Sequence, residues 1–183
     1  MNRVHILEAQ KIKVYTDVFE DKQLEINCVN PIEIYAAKIC ALLNRTTARD
    51  LFDVYTLSKY DLFDKEEKNL LRQCFILEYI AINDYELKDL NISRIDKLDK
   101  QDIKTKLLPT LRDRNPSHNN VDEMKNAVKL YLKDILVIDE NVEIFYNDFK
   151  KGIFKPELIF DDEKIIERIK THPMIIWKLK DKK

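Results

Sequence analysis

The chain contains a single glycine, Gly152, among its 183 residues. A phosphate-binding loop, a dinucleotide-binding fingerprint and a nucleophile elbow each need two or more glycines at fixed spacing. Only glycine lets the backbone turn sharply and approach a ligand closely at such positions. The sequence therefore lacks most of the short motifs by which enzymes are recognised.

The overall composition is that of a soluble globular protein of one ordinary domain, with 45% hydrophobic and 36% charged residues. The 32 lysines and arginines balance 33 aspartates and glutamates, so no overall field attracts nucleic acid or anionic lipid. The 3 cysteines form no Cys-x-x-Cys pair and lie in apolar segments, which fits a reducing compartment. With no membrane span or signal peptide in the sequence, a cytoplasmic location without membrane contact is predicted.

The hydrophobic pattern predicts two short strands followed by helices. Side chains alternate in character over residues 11–18 and 23–29, and the polar residues 19–22 between them allow a hairpin. The fold class predicted is therefore mainly α, with a short N-terminal β-hairpin followed by a helical domain. The expected division is residues 1–29 for the strands and residues 30–183 for the helical domain.

Capping signals predict where the helices begin. Asn30, followed by proline and Glu33, opens a helix to about residue 44, and Thr47 opens a second one. Asp64 with Glu67 begins a third helix, whose continuous apolar run indicates a central position. Later helices are expected over residues 93–112 with a break near 99–100, over 121–137, over 140–151 and over about 161–177.

The aromatic and basic residues near the C-terminus have structural interpretations. Trp177, Tyr131 and Phe149 lie at helical positions and are expected to pack in the core. The lysines of the last six residues are expected to be solvated, with RNA phosphate as the alternative partner. None of the 3 histidines has a carboxylate or cysteine at metal-ligand spacing, so no metal site is predicted.

Charged side chains concentrate where the first two predicted helices meet. Lys38 lies two helical turns before Arg45 and projects from the same face, and Arg49 precedes Asp53 at ion-pair spacing. With Asp50 beside them, one lysine and two arginines at this corner predict a cationic pocket for a triphosphate. The alternative is structural: Asp50 caps the second helix and Asp53 pairs with Arg49. In that case Lys38 and Arg45 are solvated.

A recognisable set of residues spans these two helices. It comprises Glu33, Lys38, Ala41-Leu42 and Asn44-Arg45, followed by ARDLFDVY and Leu57 in the segment that begins at Ala48. In this combination the chain resembles the AbiEii/AbiGii family, the nucleotidyltransferase toxins of abortive-infection, type IV toxin-antitoxin systems. A weaker resemblance to the C-terminal region of that family lies in residues 146–178.

The resemblance implies a polymerase-β-like nucleotidyltransferase fold with a helical C-terminal half. It implies an enzyme that uses a nucleoside triphosphate (NTP) and Mg²⁺ to modify RNA, such as tRNA acceptor ends, with a cognate antitoxin as partner. By position, Lys38 would bind the nucleotide phosphates, and Asp50 or Asp53 would complete the catalytic site. Arg45 and Arg49 would be the substrate-binding residues.

The chain departs from the family's pattern near its start. The Gly-Ser turn and the Asp-x-Asp motif, whose carboxylates hold magnesium in complete relatives, do not occur there. The expectation is therefore the C-terminal part of a nucleotidyltransferase toxin, inactive alone, with an exposed apolar hairpin face and a partner that supplies the missing N-terminal half. The alternative is a non-catalytic helical module that binds an antitoxin or RNA.

Overall fold

The structure is a computed structural model that describes residues 5–14, 24–107, 109 and 121–182. Its strands and α-helices are β1 (Gln10–Val14), β2 (Leu24–Cys28), α1 (Pro31–Arg45), α2 (Ala48–Tyr60), α3 (Lys65–Leu77), α4 (Lys100–Asp102), α5 (Val121–Ile135), α6 (Glu140–Lys150), α7 (Glu163–Lys170) and α8 (Pro173–Lys180). A hairpin followed by helices confirms the predicted fold class.

The link between α1 and α2 is formed by two threonines. The Asn30 side chain accepts a hydrogen bond from the backbone N–H of Ile32 at the start of α1. Thr46 ends that helix in the left-handed conformation with φ 53°, and the Thr47 hydroxyl accepts a hydrogen bond from the Asp50 N–H at the start of α2. Both predicted N-caps are confirmed, and the short link keeps the two helices in contact.

Helix α3 lies at the centre of the core, as predicted. A capping box between Asp64 and Glu67 starts it, and Leu71, Cys74 and Leu77 are fully buried. The helix packs on α1 and continues in a wider π-helical turn over Glu78–Ile82.

The segment after α3 is made of short irregular helices. It contains 3-10 helices at Leu87–Asp89 and Ile92–Lys97, then α4, which continues in a π-helical turn at Ile103–Leu107. The predicted break near residues 99–100 is confirmed, because Asp99 caps α4 anew. The end of that predicted helix, residues 108 and 110–112, lies outside the described residues.

The hairpin presents an apolar pair to solvent. Strands β1 and β2 are antiparallel, and Ile12 lies directly opposite Ile26 on one face of the sheet. These side chains are 39% and 41% exposed, which confirms the expected exposure. The explanation that this face is exposed because an N-terminal half is missing stays a prediction. The polar connection at residues 19–22 lies outside the described residues.

The C-terminal helices correct two expectations. Phe149 is buried as predicted, but Trp177 is 54% exposed, because Ile175 takes the inward face of α8 and residue 177 lies about 200° further round the helix. The C-terminal lysines are not all solvated, since Lys182 and Lys178 lie near the carboxylate of Asp84. Glycine 152, with φ +77°, ends α6 one residue after its cap, as predicted.

Candidate functional site

A depression of about 320 Å³ lies between the N-terminal segment, α1 and α2. We call it the α1–α2 depression. It is lined by His5, Val29, Glu33, Ile34, Ala37, Lys38, Ala41, Arg45, Asp50 and Asp53. The residues of α1 in this set recur every three or four positions, which places them on one face of that helix.

Lys38 bridges the two helices across this depression. Its Nζ lies 2.5 Å from Oδ2 of Asp53, and the two side chains are 35% and 38% exposed. The pair is therefore open to a ligand that competes for the lysine. Asp53 does not pair with Arg49 four residues earlier, because α1 brings the lysine to it from the facing helix.

Arg45 and Asp50 form a second pair, in which the carboxylate is buried and the arginine is exposed. The guanidinium donates from Nε to Oδ2 at 3.2 Å and from a terminal nitrogen to Oδ1 at 2.7 Å. The Thr47 hydroxyl donates a further hydrogen bond to Asp50, whose side chain is only 6% exposed. The hydrogen bonds from Arg45 to Asp50 and the charge of that carboxylate raise the pKa of Arg45 above its ordinary value. Asp50 thus fixes the arginine, while Thr47 serves as the cap.

Glu33 ties the N-terminal segment to the depression. One carboxylate oxygen lies 3.1 Å from Nδ1 of His5, and the other accepts a hydrogen bond from the backbone N–H of Leu7. From the sequence, Glu33 is placed at the start of the first helix and among the residues of the family resemblance, and His5 is given no role. These contacts join residues 26 and 28 positions apart, so no local signal could have revealed them.

The charge of the α1–α2 depression differs from the prediction of a cationic pocket. Four of the five predicted site residues line it, but Arg49 lies exposed on α2 and forms no ion pair with the residues described. Lys38 and Arg45 face three carboxylates in the lining, those of Glu33, Asp50 and Asp53. The two cations are therefore already partnered without a ligand.

The carboxylates of the depression do not form a ready magnesium site. Each one is engaged by a lysine, an arginine or the His5 ring with a backbone N–H. Across the described ranges, no group of three or more histidine, cysteine, aspartate or glutamate side chains is placed to hold a metal ion. In the same residues, no helix is long and apolar enough to cross a bilayer.

Comparison with known proteins identifies the family. The model of the family described as "Nucleotidyl transferase AbiEii toxin, Type IV TA system" matches residues 1–133. Searches of curated proteins and of solved structures found no match. Since the family match spans most of the chain, the chain belongs to the AbiEii family, and the resemblance seen in α1 and α2 is confirmed. The matched residues include the hairpin and the whole lining of the α1–α2 depression.

Proposed function

We propose that this chain binds the phosphates of an NTP in the α1–α2 depression, as the helical part of a nucleotidyltransferase toxin. The observation that carries the proposal is that Lys38 and Arg45 reach into one depression from the same face of α1. Membership of a nucleotidyl transferase family supports a nucleotide as the ligand. Phosphoryl-transfer enzymes work mainly by positioning and electrostatic stabilisation, which these residue types supply.

The two cations would act differently. Lys38 is held by one exposed contact with Asp53, so a triphosphate can displace that carboxylate and take over the ammonium group. Arg45 keeps Asp50 as its anchor, because the two hydrogen bonds between them leave three of the five guanidinium N–H groups free. Asp50 is thus a positioning residue that holds Arg45 in place before the nucleotide arrives, whereas Asp53 gives up Lys38 when the nucleotide binds.

Arg49 has a separate place in this proposal. It lies outside the lining of the depression, exposed one residue before Asp50 on α2. From there its guanidinium would bind a phosphate group that extends beyond the depression, either of the triphosphate or of an RNA. Its role as a substrate-binding residue remains a prediction.

The 183-residue chain is expected to have one of the two activities of a nucleotidyltransferase, NTP binding, and to lack the other, nucleotide transfer. The carboxylates near the bound phosphates are engaged by cations, and the described residues form no metal cluster. We expect the chain to bind NTP and to transfer no nucleotide to RNA without a further polypeptide.

The family also implies a protein partner, since a type IV toxin-antitoxin system contains an antitoxin. The exposed Ile12 and Ile26 pair favours a polypeptide, either the antitoxin or a nucleotidyltransferase segment, that covers the hairpin. This supports the second candidate function, a helical interaction module. A chain that binds no NTP but binds antitoxin or RNA would favour the module over the enzyme.

The test is a calorimetric titration of ATP, CTP, GTP and UTP into the full chain, beside a labelled-nucleotide transfer assay on total tRNA. Lys38→Gln should weaken triphosphate binding about tenfold, because one charge-assisted contact is lost. Lys133→Gln is the matched control, since this exposed lysine of α5 lies far from the depression in sequence and does not line it. Equal binding by wild type and Lys38→Gln would overturn the proposed site, and transfer by the purified chain would overturn the proposed separation.

A further inference from the structure

A second cleft lies next to the α1–α2 depression, with the last turn of α1 between them. Asn44 lines the cleft, whereas the next residue, Arg45, lines the depression. The cleft has a volume of about 520 Å³, within the range of small-molecule sites. Its polar and charged lining includes Asn44, Tyr85, Lys88, Asp89, Arg94 and Lys97. We call it the lysine cleft.

The lysine cleft is cationic, unlike the depression. Arg94 and Lys97 lie three residues apart on one 3-10 helix, so their side chains project from the same side of it, and Lys88 comes from the preceding one. None of these three cations forms an ion pair with a described carboxylate, whereas Lys150, Lys155, Lys178 and Lys182 in the C-terminal part of the chain do. Asp89 is the one carboxylate among the described residues of the lining, which therefore carries two more positive than negative charges.

The walls of the cleft are held in place by contacts within the fold. Arg94 donates a hydrogen bond of 3.2 Å to the backbone carbonyl of Leu43, which anchors the guanidinium at the end of α1. Asn44 donates to the Tyr85 hydroxyl at 2.6 Å, and the Tyr85 ring packs edge-on against buried Tyr79 with 5.0 Å between centroids. A polar amide, an aromatic ring and one anchored guanidinium therefore face the space that Lys88 and Lys97 also line, before any ligand binds.

We propose that the lysine cleft binds a small phosphate ester of the nucleoside monophosphate class. Lys88 and Lys97 would neutralise the phosphate, with Arg94 adding a fixed donor fork. The partly buried Tyr85 ring offers a surface for a base, and Asp89 can accept hydrogen bonds from the ribose hydroxyls. The cleft shares no lining residue with the α1–α2 depression, so this proposal does not rest on the proposed function.

The test is calorimetry on the full chain with three probes: AMP, adenosine and inorganic phosphate. Wild type should bind AMP, and the double variant Lys88→Gln/Lys97→Gln should bind it about tenfold more weakly or worse. The matched control is Lys133→Gln/Lys180→Gln, which removes the same charge from two exposed lysines that line neither site. If circular dichroism shows that the double variant does not fold, the single variant Lys97→Gln replaces it. That variant should lose part of the AMP affinity.

The outcomes separate the two sites. Adenosine should not bind measurably, and phosphate should bind more weakly than AMP because it lacks the base and ribose. Failure of wild type to bind AMP would overturn the proposal, as would equal binding of adenosine or of phosphate. An AMP affinity that falls with Lys38→Gln but not with Lys88→Gln/Lys97→Gln would place AMP in the α1–α2 depression. That result would overturn the second site and leave the proposed function standing.

Discussion

Asp84 joins the family-matched part of the chain to its C-terminal end, and its replacement tests how firmly the two are held together. It lies after the π-helical turn in the left-handed region, with φ 59°. Its Oδ1 lies 2.8 Å from Nζ of Lys182 and 3.1 Å from Nζ of Lys150, and Oδ2 lies 4.0 Å from Nζ of Lys178. Asp84→Asn removes the charge but keeps the shape, and asparagine also tolerates this backbone conformation.

The size of the effect follows from the exposure of the cluster. The side chain of Asp84 is 26% exposed and that of Lys182 only 13%, so these ion pairs are less screened than surface pairs. A charge-assisted hydrogen bond contributes about 1.5–3 kcal/mol when fully enclosed and less at this exposure. Asparagine still accepts one hydrogen bond, but the clustered lysines then repel one another. We expect the variant to lose about 1–3 kcal/mol of unfolding free energy.

The measurement is urea unfolding followed by circular dichroism, repeated between neutral and acid pH. Burial by itself would raise the pKa of Asp84, but the hydrogen bonds and charges of Lys182 and Lys150 outweigh it and lower that pKa below 3.8. A carboxylate with a lowered folded-state pKa stabilises the protein above its unfolded pKa and loses that contribution as the pH falls through the folded value. The difference between wild type and Asp84→Asn should therefore be constant near neutrality and shrink below about pH 4.

The matched control is Asp161→Asn, an exposed carboxylate with no ion pair among the described residues. It should change the unfolding free energy by less than about 0.5 kcal/mol. An Asp84→Asn variant as stable as this control would refute the argument that the lysine cluster fastens the C-terminal helix. A stability difference that grows on acidification would show that the sign of the pKa shift is wrong.

Two further predictions concern the α1–α2 depression. Asp53→Asn should tighten triphosphate binding about fivefold in calorimetry, because it frees Lys38 and removes a repelling charge. Weaker binding would mean that Asp53 orients the lysine more than it competes for it. Glu33→Ala should lower the unfolding free energy by about 1–3 kcal/mol in urea, since the buried Leu7 N–H loses its acceptor. Exposed Glu143→Ala is its control, and equal stability of these two variants would contradict the inferred tether.

Local signals in the sequence sufficed for the helix boundaries. The caps at Asn30, Thr47 and Asp64 each act on a backbone N–H within three residues, so their outcome is decided before any tertiary contact forms. Gly152 is also a local signal, because its ability to adopt a positive φ is enough to end α6 there. The residues that carry the stronger part of the family resemblance also lie in α1 and α2, whose ends these local signals set.

The ion-pair partners of the charged residues depended on the tertiary structure. The spacing of Arg49 and Asp53 allows a pair within α2, but Lys38 arrives from α1 and takes the carboxylate. Glu33 likewise contacts His5 and Leu7, and no spacing rule in the sequence predicts contacts between residues so far apart. A long charged side chain can satisfy several partners at similar energy, so the position of the neighbouring helix decides among them. The sequence therefore determined that Lys38, Arg45, Asp50 and Asp53 gather at this corner, and the packing of α1 on α2 left Arg49 outside it and paired its two cations.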